Sequence, residues 1–279
     1  MSEKVIHTLA RWLQHADVVY ARVIATRGAT PRSQGSCMLI SASECAFSVG
    51  GGLAEARVVA AARDLAGSGC AESTLLKVDL SGQLGSAGIC GGSMEIKLRR
   101  LSAQDQPSIA DLSARLAAGE WIEFDAERIA PDPRLLVIGA GHCGSALYDL
   151  AQHLDFDIVL YDERRELFDA SRFPRASFSD DLGVALDTQR DVYAVLLNRD
   201  FAADIAALKV LARRPLRFVG MMGSRKRIQT VRLSLPEDDP LALTLVSPVG
   251  LEINAETPHE IAVSILAQLI EVRRSRAGV

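Results

Sequence analysis

Three glycines carry the clearest chemistry in this chain of 279 residues. Gly139, Gly141 and Gly144 stand in the spacing G-x-G-x-x-G, directly after the apolar run Leu135-Leu136-Val137-Ile138. In a strand that enters a helix through such a turn, the first glycine sits where the chain bends. The second lets backbone approach a phosphate, and the third lets the helix pack on the strand. The helix start adds unpaired N–H groups and a partial positive charge, both attractive to an anion. Asp162 ends the next apolar strand about 20 residues on, where a ribose-binding carboxylate belongs. An acidic residue there favours NAD-type over NADP-type ligands. His142 lies inside the turn, placed to contact a ligand. The competing reading is the same fold holding a different phosphate, or none. Downstream, no His or Lys stands in a setting that suggests hydride-transfer acid–base chemistry.

A second strand-to-helix passage, Gly220-Met221-Met222-Gly223-Ser224-Arg225, offers a hydroxyl and a guanidinium that suit a phosphate. The bland alternative is an N-cap serine and a solvent arginine. The first half has its own glycine clusters. Gly50-Gly51-Gly52 lies between a strand and a helix, and Glu55, one turn in, either caps that helix or binds a polar ligand. Gly88-Ile89-Cys90-Gly91-Gly92 leaves Cys90 sterically open, a candidate reactive thiol whose ionisation is not legible in sequence. Each cluster alone also reads as a tight turn. The loop from Gly28 to Gly35 adds Arg32. Cys37 falls in a strand and reads as core, and Cys143 on the helix after the glycine turn is explained by packing or by backbone approach. No C-x-x-C or H-x-x-x-H spacing occurs, so a metal site is not expected. Thr257-Pro258-His259-Glu260 is a capping box, which gives His259 a structural role.

These residues need a scaffold of two parts. A chain of this length predicts two domains. The linker Pro131-Asp132-Pro133 disfavours helix and cannot donate fully to a sheet. Before it, the pattern predicts helices over 4–16, 53–65 and 109–118, with strands over 18–26, 37–41, 74–80, 94–101 and 121–124. After it, apolar strands over 135–138, 158–161, 193–197 and 217–220 alternate with helices starting near His142, Asp204 and Ser224 and a last one over 258–273. Apolar strands without period-two alternation imply burial on both faces and a parallel sheet. The expected class is therefore α/β: a Rossmann-type parallel sheet over 134–279, with a smaller α+β domain over 1–130.

Composition narrows the function classes. The net charge of −4 argues against a nucleic-acid partner. No apolar run long enough to span a membrane exists, and the first residues lack a signal-peptide pattern. Five cysteines, odd in number and widely spaced, suit reduced thiols in a cytoplasm.

With these blocks assembled, the chain resembles the XdhC/CoxI family, accessory proteins of xanthine dehydrogenase and related molybdenum hydroxylases. Gly28-Ala29-Thr30-Pro31-Arg32, with Gly35 and Met38-Leu39-Ile40, is similar to the family's opening signature. Val49-Gly50-Gly51-Gly52 with Glu55 resembles its second motif, and Cys90-Gly91-Gly92 its third. The Rossmann half resembles the family through Gly139-Ala140-Gly141-His142 with Asp162, Val219 to Arg227, and Ser247-Pro248-Val249-Gly250-Leu251 leading to Pro258. One block departs: where members carry a histidine-containing loop, this chain reads Asn198-Arg199-Asp200.

The resemblance implies a cytoplasmic chaperone in purine catabolism that binds molybdenum cofactor (molybdopterin). It implies support of sulfuration by a cysteine desulfurase and delivery to the molybdenum subunit of xanthine dehydrogenase. The residues nominated for cofactor contact are Gly139, Gly141, His142, Gly144, Asp162, Ser224, Arg225, Arg32, Gly50, Gly51, Glu55 and Cys90, with NAD or another nucleotide also a candidate at the Rossmann turn. A homodimer is expected, and catalysis is not. The alternatives are an NAD-dependent oxidoreductase that uses the same turn, and a scaffold whose nucleotide site is vestigial.

Overall fold

Along β1 (Val18–Arg27), Val19, Ala21 and Val23 point to one side of a sheet, and Val18 and Tyr20 to the other. Both sets are buried because a layer covers each face. The computed structural model describes residues 2–68, 72–198, 200–223, 227, 229–231 and 244–275. It divides into two compact units, Met1–Pro131 and Asp132–Val279.

The first unit is built on an antiparallel sheet of β1, β2 (Cys37–Ile40), β3 (Cys45–Phe47), β4 (Ser73–Leu80) and β5 (Gly92–Leu101), in the order β3-β2-β1-β5-β4. The helix α2 (Gly52–Ser68) lays Ala54, Val58, Ala62 and Leu65 on one face. On the other lie α1 (Glu3–Trp12) and α3 (Gln106–Ala117), through Val5, Leu9, Ile109 and Leu116. The first helix is shorter than its periodicity predicts. It ends at Trp12, and His15 and Ala16 turn back onto the Trp12 carbonyl to enter β1.

The strand predicted over 121–124 is β6 (Ile122–Phe124), half of a hairpin with β7 (Glu127–Ile129). Its two turn residues, Asp125 and Ala126, both have positive φ, +50° and +61°. Such a turn matches the twist of the strands, and neither residue here is the glycine that usually announces it. The Asp125 carboxylate, nearly buried, accepts from Lys97 Nζ at 2.6 Å and has Arg22 and Arg99 within 3.6 Å. Arg22 also pairs with Glu127. A charged cluster therefore pins the hairpin to β1 and β5.

The second unit is a parallel sheet of β8 (Arg134–Ile138), β9 (Asp157–Tyr161), β10 (Ala176–Ser179), β11 (Val192–Leu196) and β12 (Phe218–Met221). The order is β10-β9-β8-β11-β12. Among the described residues, α4 (His142–Ala151) and α7 (Pro258–Ser275) cover one face. The other carries α5 (Leu182–Ala185) and α6 (Phe201–Leu211). The chain runs outward from β8 to β10, then crosses back to β11 on the other side of β8. Ligands of such sheets bind at that switch point, beyond the carboxyl ends of the strands. The β10 strand escapes a reading by hydrophobic runs because Ala176-Ser177-Phe178-Ser179 is short and half polar. The helix predicted from Asp204 begins earlier, at Phe201, because the Asp200 carboxylate accepts from Ala202 N at 2.8 Å.

Among the described residues, no helix is long and apolar enough to cross a membrane.

Candidate functional site

The glycine turn after β8 separates fold from function residue by residue. Gly139 has φ +109°, and a Cβ there would sit 2.8 Å from Asn198 Oδ1. At Gly144 a Cβ would land on the Gly139 carbonyl oxygen. Both glycines are demanded by the protein itself. Gly141 is different: its φ of −68° suits any residue, and an added Cβ would meet nothing nearer than Arg164 Nη2 at 3.9 Å. What its missing side chain leaves open is space in front of the α4 N-terminus, where a phosphate approaches backbone N–H groups.

That space is a cleft of about 520 Å³ at the carboxyl ends of β8, β9, β11 and β12. Gly141, His142, Cys143, Asp162, Arg164 and Asn198 are among its lining residues. His142 is exposed at the first position of α4. Cys143, assigned to packing from sequence, is half-buried, and besides touching the core it borders the cleft together with Met222. Tyr161 borders it too, its hydroxyl pushed up by burial and by Glu163 and Asp181, which keeps it a neutral donor.

Asp162 lies at the cleft but is nearly buried, with both oxygens taken. Oδ2 accepts from Ala140 N at 2.8 Å and Arg164 Nη2 at 2.9 Å. Oδ1 accepts from Arg164 N and Arg164 Nε, each at 3.0 Å. Burial on its own raises the Asp162 carboxyl, but these hydrogen bonds outweigh it and hold the group below its ordinary value. The carboxylate thus holds the glycine turn at Ala140 N and fixes the Arg164 guanidinium beside it. Arg164 was not singled out by the motif. The available signal was an arginine two residues beyond the strand-ending acid.

On the far side of the cleft, Asp204 of α6 is fully buried against Arg227. Arg227 Nη2 also donates to the Asn198 carbonyl oxygen. Arg227 thus joins α6 to the loop after β11, whose Asn198 lies against Gly139. Ser224 and Arg225 lie outside the described residues, as does Arg199. The block 247–251 folds back onto β12: Ser247 Oγ donates to Met221 O at 2.9 Å, and Val249 fills the space a side chain at Gly220 would need. The capping box forms as its residues predict, with Glu260 Oε2 accepting from Thr257 N at 2.9 Å, and His259 faces Asp149.

In the first unit the structure brings all three glycine motifs to one end of the antiparallel sheet. A Cβ at Gly28 would fall 2.9 Å from Gly91 O, and one at Gly50 would fall 2.8 Å from Pro31 Cγ. One at Gly92 would collide with the carbonyls of Arg27 and Ala29. Gly51 and Gly52, with φ +75° and +60°, have open space where a Cβ would be. Glu55 closes its loop, accepting from Ser48 Oγ at 2.6 Å and Gly51 N at 3.1 Å. Arg32 and Cys90 are exposed at this end. Among the described residues, no group of three or more His, Cys, Asp or Glu side chains is placed to hold a metal ion.

Comparisons with known proteins agree with this fold. Residues 135–269 match the model of the XdhC Rossmann domain, and residues 12–79 that of the XdhC and CoxI family. The uncharacterized protein YqeB of Escherichia coli (strain K12) is 26% identical over 275 residues, 95% of this chain and 45% of that protein. A probable xanthine dehydrogenase subunit of Bacillus subtilis (strain 168) is 33% identical over 158 residues, 55% of this chain and 47% of that protein. The chain thus spans about half the length of the curated relatives it matches. A Bacillus halodurans protein, described in its crystal structure as a xanthine dehydrogenase, superposes with a TM-score of 0.84 at 24% identity. That match covers 99% of this chain and 97% of the other, and it shows a shared fold.

Proposed function

We propose that this chain, which belongs to the XdhC and CoxI family, is an accessory protein that holds molybdenum cofactor and passes it to a xanthine dehydrogenase. The observation that carries the reading is Gly141: a glycine the fold does not require, opening the α4 N-terminus to the cleft. Molybdenum cofactor is a pterin with a phosphate or nucleotide tail and a sulfur-ligated metal. When bound, it supplies the metal centre on which the hydroxylase depends.

The residues present fit such a group. The backbone from Gly139 to His142 would receive the phosphate tail, and Arg164 would stand beside it as a counter-charge. Asn198 and Tyr161 offer polar contacts to a heterocycle at the cleft. The open loops around Gly51 and Gly52, with Cys90 at the same end of their sheet, form a second polar face. In this reading Cys90 is a ligand-side thiol or sulfur acceptor, a cysteine desulfurase is the sulfur donor, and the protein works as a homodimer.

The test is retention of pterin. The purified chain, exposed to free molybdopterin, is expected to keep it through gel filtration, read by fluorescence of the oxidised pterin. Gly141→Val should lower retention at least tenfold while leaving the melting temperature within a few degrees. Cells that lack the protein yet make fully active xanthine dehydrogenase would sink the proposal. So would a wild-type chain that retains no pterin.

A further inference from the structure

The end of the cleft beside Asp162 is where a dinucleotide's ribose lies in this fold. A free 2′,3′-diol is held there by a carboxylate with open acceptor positions, and a 2′-phosphate by an arginine. Asp162 is 5% exposed and accepts from four donors, Ala140 N, Arg164 N, Arg164 Nε and Arg164 Nη2. The group facing the ligand is the Arg164 guanidinium, whose side chain is 58% exposed. Its Nη2 lies 3.9 Å from where a Gly141 side chain would begin, so it borders the space in front of the turn.

We propose that Arg164 reads the ligand at this end of the cleft, and that the nucleotide class it selects carries a 2′-phosphate on its ribose. This is a second ligand for the same cleft, competing there with the pterin's phosphate tail; it goes beyond the accessory role and reverses the preference that an acid at position 162 suggests. The guanidinium is pre-oriented, because Nε and Nη2 are both fixed on the Asp162 carboxylate, while Nη1 has no partner among the described residues and stays open to a ligand. The adjacent Arg165 does not share this role: it is not among the residues that line the cleft, and it pairs with Asp180 outside it. Glu163 and Asp200 also border the cleft, so the discrimination comes from the placed fork and not from a basic field.

The experiment is a calorimetric titration of the whole chain with NADPH and NADH, repeated with 2′,5′-ADP and 5′-AMP, which differ only in the 2′-phosphate. The wild type is expected to bind the phosphorylated member of each pair about tenfold to a hundredfold more tightly, less so at high salt. Arg164→Ala removes the guanidinium and also exposes the Asp162 carboxylate. It should therefore reverse the order, weakening NADPH and strengthening NADH. A merely structural arginine would weaken both alike. Arg164→Lys, which keeps the charge without the fork, should retain a smaller preference for NADPH. Equal affinities in the wild type, a preference that survives Arg164→Ala, or binding of neither pair at millimolar concentration would each overturn the proposal. Pterin retention is read on a separate probe, so failure of the accessory role and failure of this inference are told apart.

Discussion

Single residues in the glycine turn do separable jobs. Gly144→Ala places a methyl on the Gly139 carbonyl, an overpacking that costs about 1–3 kcal/mol or more. Gly141→Ala meets nothing within the protein and should leave stability within about 0.5 kcal/mol while weakening ligand binding. Urea melts of the two variants, set beside ligand titrations, check the split; equal destabilisation would refute it. Asp162 adds a pH signature. A carboxyl whose folded pKa lies below its unfolded one stabilises the fold above the unfolded value, and that contribution is lost as pH falls through the folded one. With an ordinary value of 3.8, Asp162 should support the fold fully above about pH 5 and withdraw that support in the acid range. Asp162→Asn should flatten the acid limb of the melting-temperature profile. At this scale the sequence was partly legible. The three glycines announce themselves by spacing, but the hydrogen bonds that occupy both Asp162 oxygens depend on where Arg164 folds, and no spacing records that.

Elements are held by a few charged contacts. Asp204→Ala would remove the buried carboxylate that Arg227 holds on α6, at a cost of about 3 kcal/mol. Chemical denaturation measures this, and a loss below about 1 kcal/mol would show that the pair is solvated. In the β6–β7 hairpin, Ala126 sits at φ +61°, so Ala126→Gly should raise stability by about 1 kcal/mol. Thermal melts with no gain would mean the turn relaxes in solution. The parallel strands were legible because full burial makes them continuous apolar runs. The hairpin and β10 were not, since one lacks a glycine signal and the other is short and half polar.

At the scale of the whole molecule, each unit has its own apolar interior: α2, the antiparallel sheet, α1 and α3 in one, and helices on both faces of a parallel sheet in the other. A fragment over 132–279 should therefore fold alone and keep the nucleotide preference of the full chain. Circular dichroism and the same titrations check this; an unfolded fragment would show that the unit borrows stability from elsewhere.

The return of the chain at 245–251 has a consequence for association. Along β12, Met221 N donates to Val246 O, Val246 N to Val219 O, and Val249 N to Met221 O. The main-chain groups with which an outermost strand would recruit a neighbour are thus already occupied by the chain's own return. A second copy cannot extend the sheet through β12 without first peeling Val249 off Gly220. Self-assembly of this protein, whether a functional pair or a fibril, must therefore use some surface other than that strand.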